Sequence, residues 1–132
     1  WGVMATKGQP SNPRGGYHFL NFSDPDNPKE EAIYEVPEAG SHNLWVYGDI
    51  LIAGNYQAGL RIVDISGELL GDIYKQGREI GHYLPYHKEG KIPNAPMVWG
   101  AQPYKDYIFF ADMNSGLYCI KLEDINEGSG TP

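Results

Sequence analysis

The fold is decided by residues 42–65, which read HNLWVYGDILIAGNYQAGLRIVDI. Short apolar runs in this stretch are interrupted by Gly, Asn and Asp, which is the pattern of strands joined by tight turns rather than of helices. We predict strands at Leu44–Tyr47, Ile50–Gly54 and 60–65. Gly59 precedes the third strand, where a glycine accommodates a positive φ. Residues 42–65 therefore predict three consecutive antiparallel strands.

The same pattern recurs later in the chain. Residues 99–122 read WGAQPYKDYIFFADMNSGLYCIKL and align with residues 42–65 at an offset of 57 without a gap. The aligned positions with identical residues are Tyr47/Tyr104, Asp49/Asp106, Gly59/Gly116 and Leu60/Leu117. A third copy at residues 16–23 aligns with residues 59–66 at an offset of 43. Repeats of roughly 40–50 residues built from short strands are typical of β-propeller blades.

The repeat predicts an all-β fold, namely a partial β-propeller built of four-stranded antiparallel blades. The further predicted strands are 2–7, 17–22, 32–36, 79–84, Val98–Tyr104, 107–111 and 117–122. Helix is almost absent from this interpretation, with one short helical turn considered at residues 67–76. A β-sandwich is the alternative fold, because it also contains many short strands.

The predicted strands divide the chain into about two and a half blades. The four parts are a blade remnant with strands b, c and d (1–36), a complete blade (37–84), a last blade with strands a, b and c and a long entry loop at 85–97 (85–123), and a polar tail (124–132). Closed propellers need roughly 4–8 blades. We therefore expect the C-terminal portion of a longer propeller, whose sheet edges are completed by the remaining blades of the parent chain or by a partner chain.

Composition excludes several classes of protein. Of the 132 residues, 41% are hydrophobic and 13% aromatic, which is too apolar for a disordered chain. The net charge of −7 argues against a surface that binds nucleic acid, since such surfaces track phosphates with Lys and Arg. No stretch approaches the roughly 20 apolar residues of a membrane helix. The single cysteine, Cys119, excludes an internal disulfide, and we expect its thiol to be buried as a small apolar group.

The sequence LRIVDIS at residues 60–66 resembles the motif of the LVIVD-repeat proteins, which are bacterial and archaeal β-propellers, usually exported or surface-anchored. Residues 23–28, SDPDNP, are similar to the Asp-x-x-x-Pro turn that follows the motif in that family. The likeness departs after Ser66, where no Asp-Pro turn follows, and at Lys121, which replaces the motif Asp. The resemblance implies a binding or scaffolding module with an extracellular, periplasmic or cell-surface location, and it implies no particular reaction.

Long loops on one side of the predicted blades form the candidate site. In a four-stranded meander, the b-to-c and d-to-a connections emerge on the same side, and the longest of them is 85–97. The predicted partner-binding residues on this side, called the long-loop face, are Arg14, His42, Tyr56, Gln57, Tyr86, His87, Trp99, Met113 and Asn114. Aromatic and Met anchors beside polar groups are the composition that contributes binding energy at interfaces.

His42 and Trp99 occupy equivalent positions of the repeat, each at the start of an innermost strand. We expect them to border the central channel, where they either contact a partner or simply fill the channel. The function predicted from this face is a non-enzymatic binding or scaffold module that recognises a protein or glycan partner. Two alternatives stay open: an enzyme with a metal or cofactor at the channel mouth, with His42 as a weak candidate ligand, and a structural subunit of a larger assembly. No phosphate loop, nucleophile elbow or paired-acid motif identifies a reaction or a cofactor.

Overall fold

The computed structural model describes residues 2–5, 15–37 and 39–121, which form strands and turns without a helix. The strands of this described part are β1 (Gly2–Ala5), β2 (Tyr17–Asn21), β3 (Lys29–Tyr34), β4 (Leu44–Tyr47), β5 (Ile50–Gly54), β6 (Leu60–Asp64), β7 (Gly71–Asp72), β8 (Glu79–Tyr83), β9 (Val98–Tyr104), β10 (Tyr107–Asp112) and β11 (Gly116–Lys121). The prediction of an all-β chain is confirmed. Across the same residues, the structure contains no helix long and apolar enough to cross a membrane.

The strands form three sheets. The first sheet has the order β1-β2-β3-β7, the second β4-β5-β6-β8, and the third β9-β10-β11. All pairings are antiparallel except that between β3 and β7.

The second sheet contains the strands predicted from residues 42–65. β4, β5 and β6 pair in chain order, with Ile52 opposite both Trp45 and Ile62. Gly59 has a φ of 78°, and a Cβ at this position would lie 2.3 Å from the carbonyl oxygen of Tyr83. Only glycine fits this turn, because any side chain would collide with the backbone of β8.

The outer edge of the first sheet differs from the prediction. The short helical turn considered at residues 67–76 is wrong, because the connection between β6 and β8 crosses to the first sheet and adds β7 parallel to β3. Leu69 and Ile73 stabilise this path of the connection, because their side chains are buried in the core between the first two sheets. The amide of Ile73 donates a hydrogen bond of 2.9 Å to the carbonyl of Ile33. β3 itself lies a few residues earlier than the predicted strand at 32–36.

The third sheet has three strands in the described part of the chain. β9 has the predicted bounds, Val98–Tyr104, and β10 and β11 differ from the prediction only at their ends. The polar tail predicted at residues 124–132 lies outside the described residues, as do the last predicted residue of β11 and residues 6 and 7 after β1.

The three sheets pack face to face in the order first, second, third. The core between the first and second sheets contains Tyr17, Phe19, Ala32, Tyr34, Leu51, Ala53 and Val63. The core between the second and third sheets contains Ile52, Leu60, Ile62, Val98, Ala101, Ile108 and Phe110. The second sheet is therefore covered on both faces, and it positions the other two.

Two buried tyrosines bond the first sheet to the second. The Tyr17 hydroxyl donates to the carbonyl of Gly54 at 2.6 Å, and the Tyr34 hydroxyl donates to the Glu79 carboxylate at 2.6 Å. Arg61 holds the same carboxylate through an ion pair of 3.0 Å. Burial raises the pKa of both tyrosines above the ordinary value, so both hydroxyls stay protonated donors.

Candidate functional site

Three predicted site residues form an aromatic cluster, defined as His42, Tyr56 and Trp99. The His42 and Trp99 rings stack with centroids 5.1 Å apart and an interplanar angle of 9°. The Tyr56 and His42 rings meet edge to face at 5.2 Å. The Nδ1 atom of His42 lies 2.9 Å from the carbonyl oxygen of Trp99. His42 and Trp99, which occupy equivalent positions of the repeat, are thus also in direct contact.

The backbone, rather than the side chains, brings this cluster together. Tyr56 and Val98 exchange two backbone hydrogen bonds, of 2.9 and 3.0 Å, which bridge the second and third sheets. The amide of Asn43 donates to the carbonyl of Trp99 at 3.1 Å. A Cβ on Gly54 would lie 2.5 Å from that carbonyl oxygen, so this close approach requires a glycine. Tyr56 itself has a φ of 41°, a left-handed conformation that side-chain-bearing residues adopt only rarely.

A buried carboxylate, Asp112, organises the turn between β10 and β11. Its Oδ1 accepts hydrogen bonds from the Asn114 amide at 2.9 Å, the Ser115 amide at 2.8 Å and the Ser115 hydroxyl at 2.8 Å. Its Oδ2 accepts a hydrogen bond from the amide of Met97, the last residue of the long loop. Asp112 therefore joins the turn to the end of the loop 85–97. Asp112 is not among the site residues predicted from the sequence, although Asp at the start of a turn that ends in Gly is the available signal.

Asn114 holds the long loop from the same turn. Its Oδ1 accepts from the Ile92 amide at 2.6 Å, and its Nδ2 donates to the Ile92 carbonyl at 2.7 Å. We predicted Asn114 as a partner-binding residue, and the structure shows that its amide is engaged within the chain. The backbone amide of the neighbouring Met113 donates a hydrogen bond of 3.0 Å to the carbonyl of Met97, whereas Met113 is 57% exposed. The turn thus fixes the backbone of Met113 and leaves its side chain on the surface.

The remaining predicted residues are Tyr86, His87, Gln57 and Arg14. Tyr86 and His87 belong to the long loop and are exposed, with the His87 Nδ1 accepting a hydrogen bond from the Glu89 amide. Gln57 is exposed at the tip of the turn between β5 and β6. Arg14 lies outside the described residues.

A groove of about 600 Å³ opens beside the aromatic cluster, between β4 and the third sheet. Its polar and aromatic lining residues are His42, Asn43, Trp45, Gln102 and Phe109. Among the described residues, no Asp, Glu, Lys or Arg lines it, although the chain carries a net charge of −7. Of these residues, only His42 is among the predicted site residues, because the prediction rests on where the innermost strands begin and not on how their side chains alternate.

The described residues include no group of three or more His, Cys, Asp and Glu side chains that could hold a metal ion. The candidate ligand His42 uses its Nδ1 toward the Trp99 carbonyl. Cys119 is exposed, so the expectation that its thiol is buried is wrong. The physical reason is that Cys119 lies on a sheet face that no described part of the chain covers.

No family model, curated protein or solved structure matches the chain. The internal repeat, by contrast, has matching geometry at equivalent turns. The Asn21 Oδ1 accepts from the amide of Ser23 at 2.9 Å, and the Asp64 Oδ1 accepts from the amide of Ser66 at 2.8 Å. These two pairs are aligned at the offset of 43, so the third copy of the repeat has a structural counterpart.

Proposed function

We propose that the chain is part of a β-propeller of the LVIVD-repeat type and acts as a non-enzymatic binding or scaffold module. The proposal places it outside the cell, in the periplasm or at the cell surface, and assigns partner recognition to the long-loop face. Three stacked sheets, antiparallel apart from the β3–β7 pairing, and their equivalent turns support the propeller. The motif resemblance supports the family and the location.

The observation that carries the binding function is the exposure of large apolar side chains on a fixed backbone. Trp99 is 41% exposed although its ring stacks on His42 and its carbonyl accepts a hydrogen bond from Asn43. Met113 is exposed although Asp112 and its neighbours hold the turn beneath it. A surface whose backbone is already ordered loses less conformational entropy on binding, so its apolar contacts contribute more to affinity.

The chemistry of the adjoining groove favours an uncharged surface on the partner. Aromatic rings pack against the C–H faces of sugars or against apolar side chains, while amide groups hydrogen-bond hydroxyls or peptide groups. The groove contains Trp45 and Phe109 for the first role and Asn43 and Gln102 for the second. A glycan or the side of a protein loop provides both kinds of group.

The test compares two exposed apolar positions, Met113 and Leu70. Leu70 lies in the connection between β6 and β8 and serves as the matched control. Wild-type protein is screened on a printed array of oligosaccharides, and hits are titrated by calorimetry. We expect Met113→Ala to weaken binding by about 5–30-fold, which corresponds to roughly 1–2 kcal/mol, and Leu70→Ala to bind as wild type.

A photoreactive amino acid at position 113 or at position 70 tests protein partners in the extracellular fraction of the source cells. We expect specific crosslinks from position 113 only. Loss of affinity in Leu70→Ala with Met113→Ala unchanged would show that the binding face is wrong. Absence of both oligosaccharide binding and crosslinks specific to position 113 would contradict the proposed function.

A further inference from the structure

The turn between β5 and β6 and the turn between β10 and β11 occupy equivalent positions of the repeat, yet their hydrogen bonds differ. In the β10–β11 turn, the amide of Ser115 donates to the side-chain Oδ1 of Asp112 at 2.8 Å. In the β5–β6 turn, the equivalent amide, that of Ala58, donates to the backbone carbonyl of Asn55 at 2.8 Å. The chain therefore contains the same turn in two states, one with a side-chain acceptor and one with a backbone acceptor.

The state of the β5–β6 turn has two unfavourable features. Tyr56 has a φ of 41°, whereas its equivalent Met113 does not have a positive φ. Asn55 is fully buried, and no described residue donates a hydrogen bond to its Oδ1. Both features would disappear if the turn took the conformation of the β10–β11 turn. The Oδ1 of Asn55 would then accept the amides of residues 57 and 58, and Tyr56 would leave the left-handed region.

Contacts with the third sheet hold the β5–β6 turn in its present state. The amide of Tyr56 donates to the carbonyl of Val98 at 2.9 Å, and the amide of Val98 donates to the carbonyl of Tyr56 at 3.0 Å. The Tyr56 ring also meets the His42 ring edge to face. In the β10–β11 turn, by contrast, the amide of Met113 donates to Met97, which directly precedes β9 of the same sheet. The β5–β6 turn is thus ordered by the neighbouring sheet.

We propose that the β5–β6 turn is a two-state latch between the second and third sheets. In the latched state, which the structure shows, Tyr56 bonds to Val98 and completes the aromatic cluster. In the unlatched state, the turn has the conformation of the β10–β11 turn, and Tyr56 leaves both Val98 and His42. Two backbone hydrogen bonds and a ring contact favour the first state, while a satisfied Asn55 and an unstrained φ favour the second. These contributions are of similar size, so both states are populated.

The latch determines how much of the proposed binding face is assembled, and this regulatory role rests on the proposed function. Trp99 is expected to keep its stack on His42 and its hydrogen bond from Asn43 in both states, because neither contact involves the turn. Only Tyr56 is withdrawn from the aromatic cluster. A partner that contacts Tyr56 therefore binds the latched state, and its apparent affinity falls as the unlatched fraction rises.

The unaltered chain provides the first test, because the β10–β11 turn is a matched control within the same molecule. Relaxation dispersion of backbone amides in NMR measures exchange between conformations on the microsecond to millisecond timescale. We expect exchange at the amides of Tyr56, Ala58 and Val98. We expect none at Ser115, whose turn already has its side-chain acceptor. Exchange of equal size in both turns, or in neither, would contradict the latch.

Substitutions of Asn55 provide the second test. Asn55→Asp introduces a carboxylate that accepts amides as Asp112 does, and Asn55→Ala removes the acceptor. Hydrogen exchange is expressed as the ratio of protection at Val98 to protection at Ile73, since the Ile73 amide bonds to Ile33 in the first sheet and reports global stability. We expect Asn55→Asp to lower this ratio about tenfold and Asn55→Ala to leave it equal or higher.

The two variants must act in different ways for the latch to stand. A ratio that falls equally in Asn55→Asp and Asn55→Ala would overturn the proposal, because Asn55 would then only pack the turn. A ratio that is unchanged in Asn55→Asp would also overturn it, because no state that uses this side chain would exist. Neither measurement requires a partner, so failure of the latch is distinguishable from failure of the proposed function, which oligosaccharide binding and crosslinking test.

Discussion

The second and third sheets carry the same repeat in two environments. Leu60 and Leu117 are identical in type and equivalent in position, yet the first is buried between sheets and the second is among the most exposed apolar side chains of the described chain. Ile62 and Cys119 differ in the same way. The repeat therefore sets which side chains share a face, and the neighbouring sheet decides whether that face is core or surface.

The largest expected effect comes from deleting these equivalent leucines one at a time. Leu60→Ala should lower the free energy of unfolding by about 2–5 kcal/mol, because it leaves a cavity between two packed sheets. Leu117→Ala should change it by less than about 0.5 kcal/mol in dilute protein, since its side chain contacts solvent. Urea denaturation at low protein concentration measures both. Equal losses in the two variants would show that the face of the third sheet that carries Leu117 is packed against something in solution.

The turns that precede β6 and β11 provide a second contrast. Asp112 accepts hydrogen bonds from Met97, Asn114 and Ser115, whereas the equivalent residue Asn55 is buried with no hydrogen-bond partner for its Oδ1 in the described part of the chain. A carboxylate that ties several backbone amides to one point stabilises its turn far more than an amide whose oxygen is unsatisfied.

We expect Asp112→Ala to lower the free energy of unfolding by about 2–3 kcal/mol, because the amides of Met97 and Asn114 lose their acceptor. Asn55→Ala should cost only about 1 kcal/mol, since it removes an unsatisfied oxygen along with some packing. Thermal denaturation of both variants checks the difference. Limited proteolysis should cut the loop 85–97 faster in Asp112→Ala alone. A larger loss in Asn55→Ala would mean that a partner of its Oδ1 exists in solution.

The smallest effect concerns the end of the motif strand, where Asp64 in the second sheet is replaced by Lys121 in the third. Hydrogen bonds from Ser66 lower the pKa of Asp64, with a smaller contribution from Arg78. A carboxylate whose pKa is lower in the folded than in the unfolded chain stabilises the fold fully above about pH 4 and loses that contribution as pH falls through the folded value.

In Asp64→Asn, the free energy of unfolding should therefore decrease less steeply with falling pH below about pH 4. Its dependence on pH near neutrality should scarcely change. The change is small because Asp64 is close to solvent. Lys121→Gln is the matched control and should leave the acid limb unchanged. Denaturation midpoints measured from pH 2.5 to 7 check this, and an unchanged acid limb in Asp64→Asn would contradict the assignment.

The aromatic cluster shows how far the sequence predicts the candidate site. The offset of 57 pairs His42 with Trp99, and the structure stacks their rings. The offset does not reveal that the side-chain amide of Asn114 hydrogen-bonds to the backbone of Ile92, because that contact depends on how the long loop folds back. Asp112 was not predicted for a related reason. One of its hydrogen bonds comes from the amide of Met97, which is too distant along the chain for a local sequence pattern to indicate the contact.

The sequence by itself determined the strands and their turns, because alternation of apolar side chains and positive-φ glycines such as Gly59 act within a few residues. The tertiary structure alone decided that β7 leaves the second sheet for the edge of the first, since this depends on where Leu69 and Ile73 find a core. It also decided that Cys119 is exposed while its equivalent Ile62 is buried. Burial is a property of two surfaces in contact, and a single strand specifies only one of them.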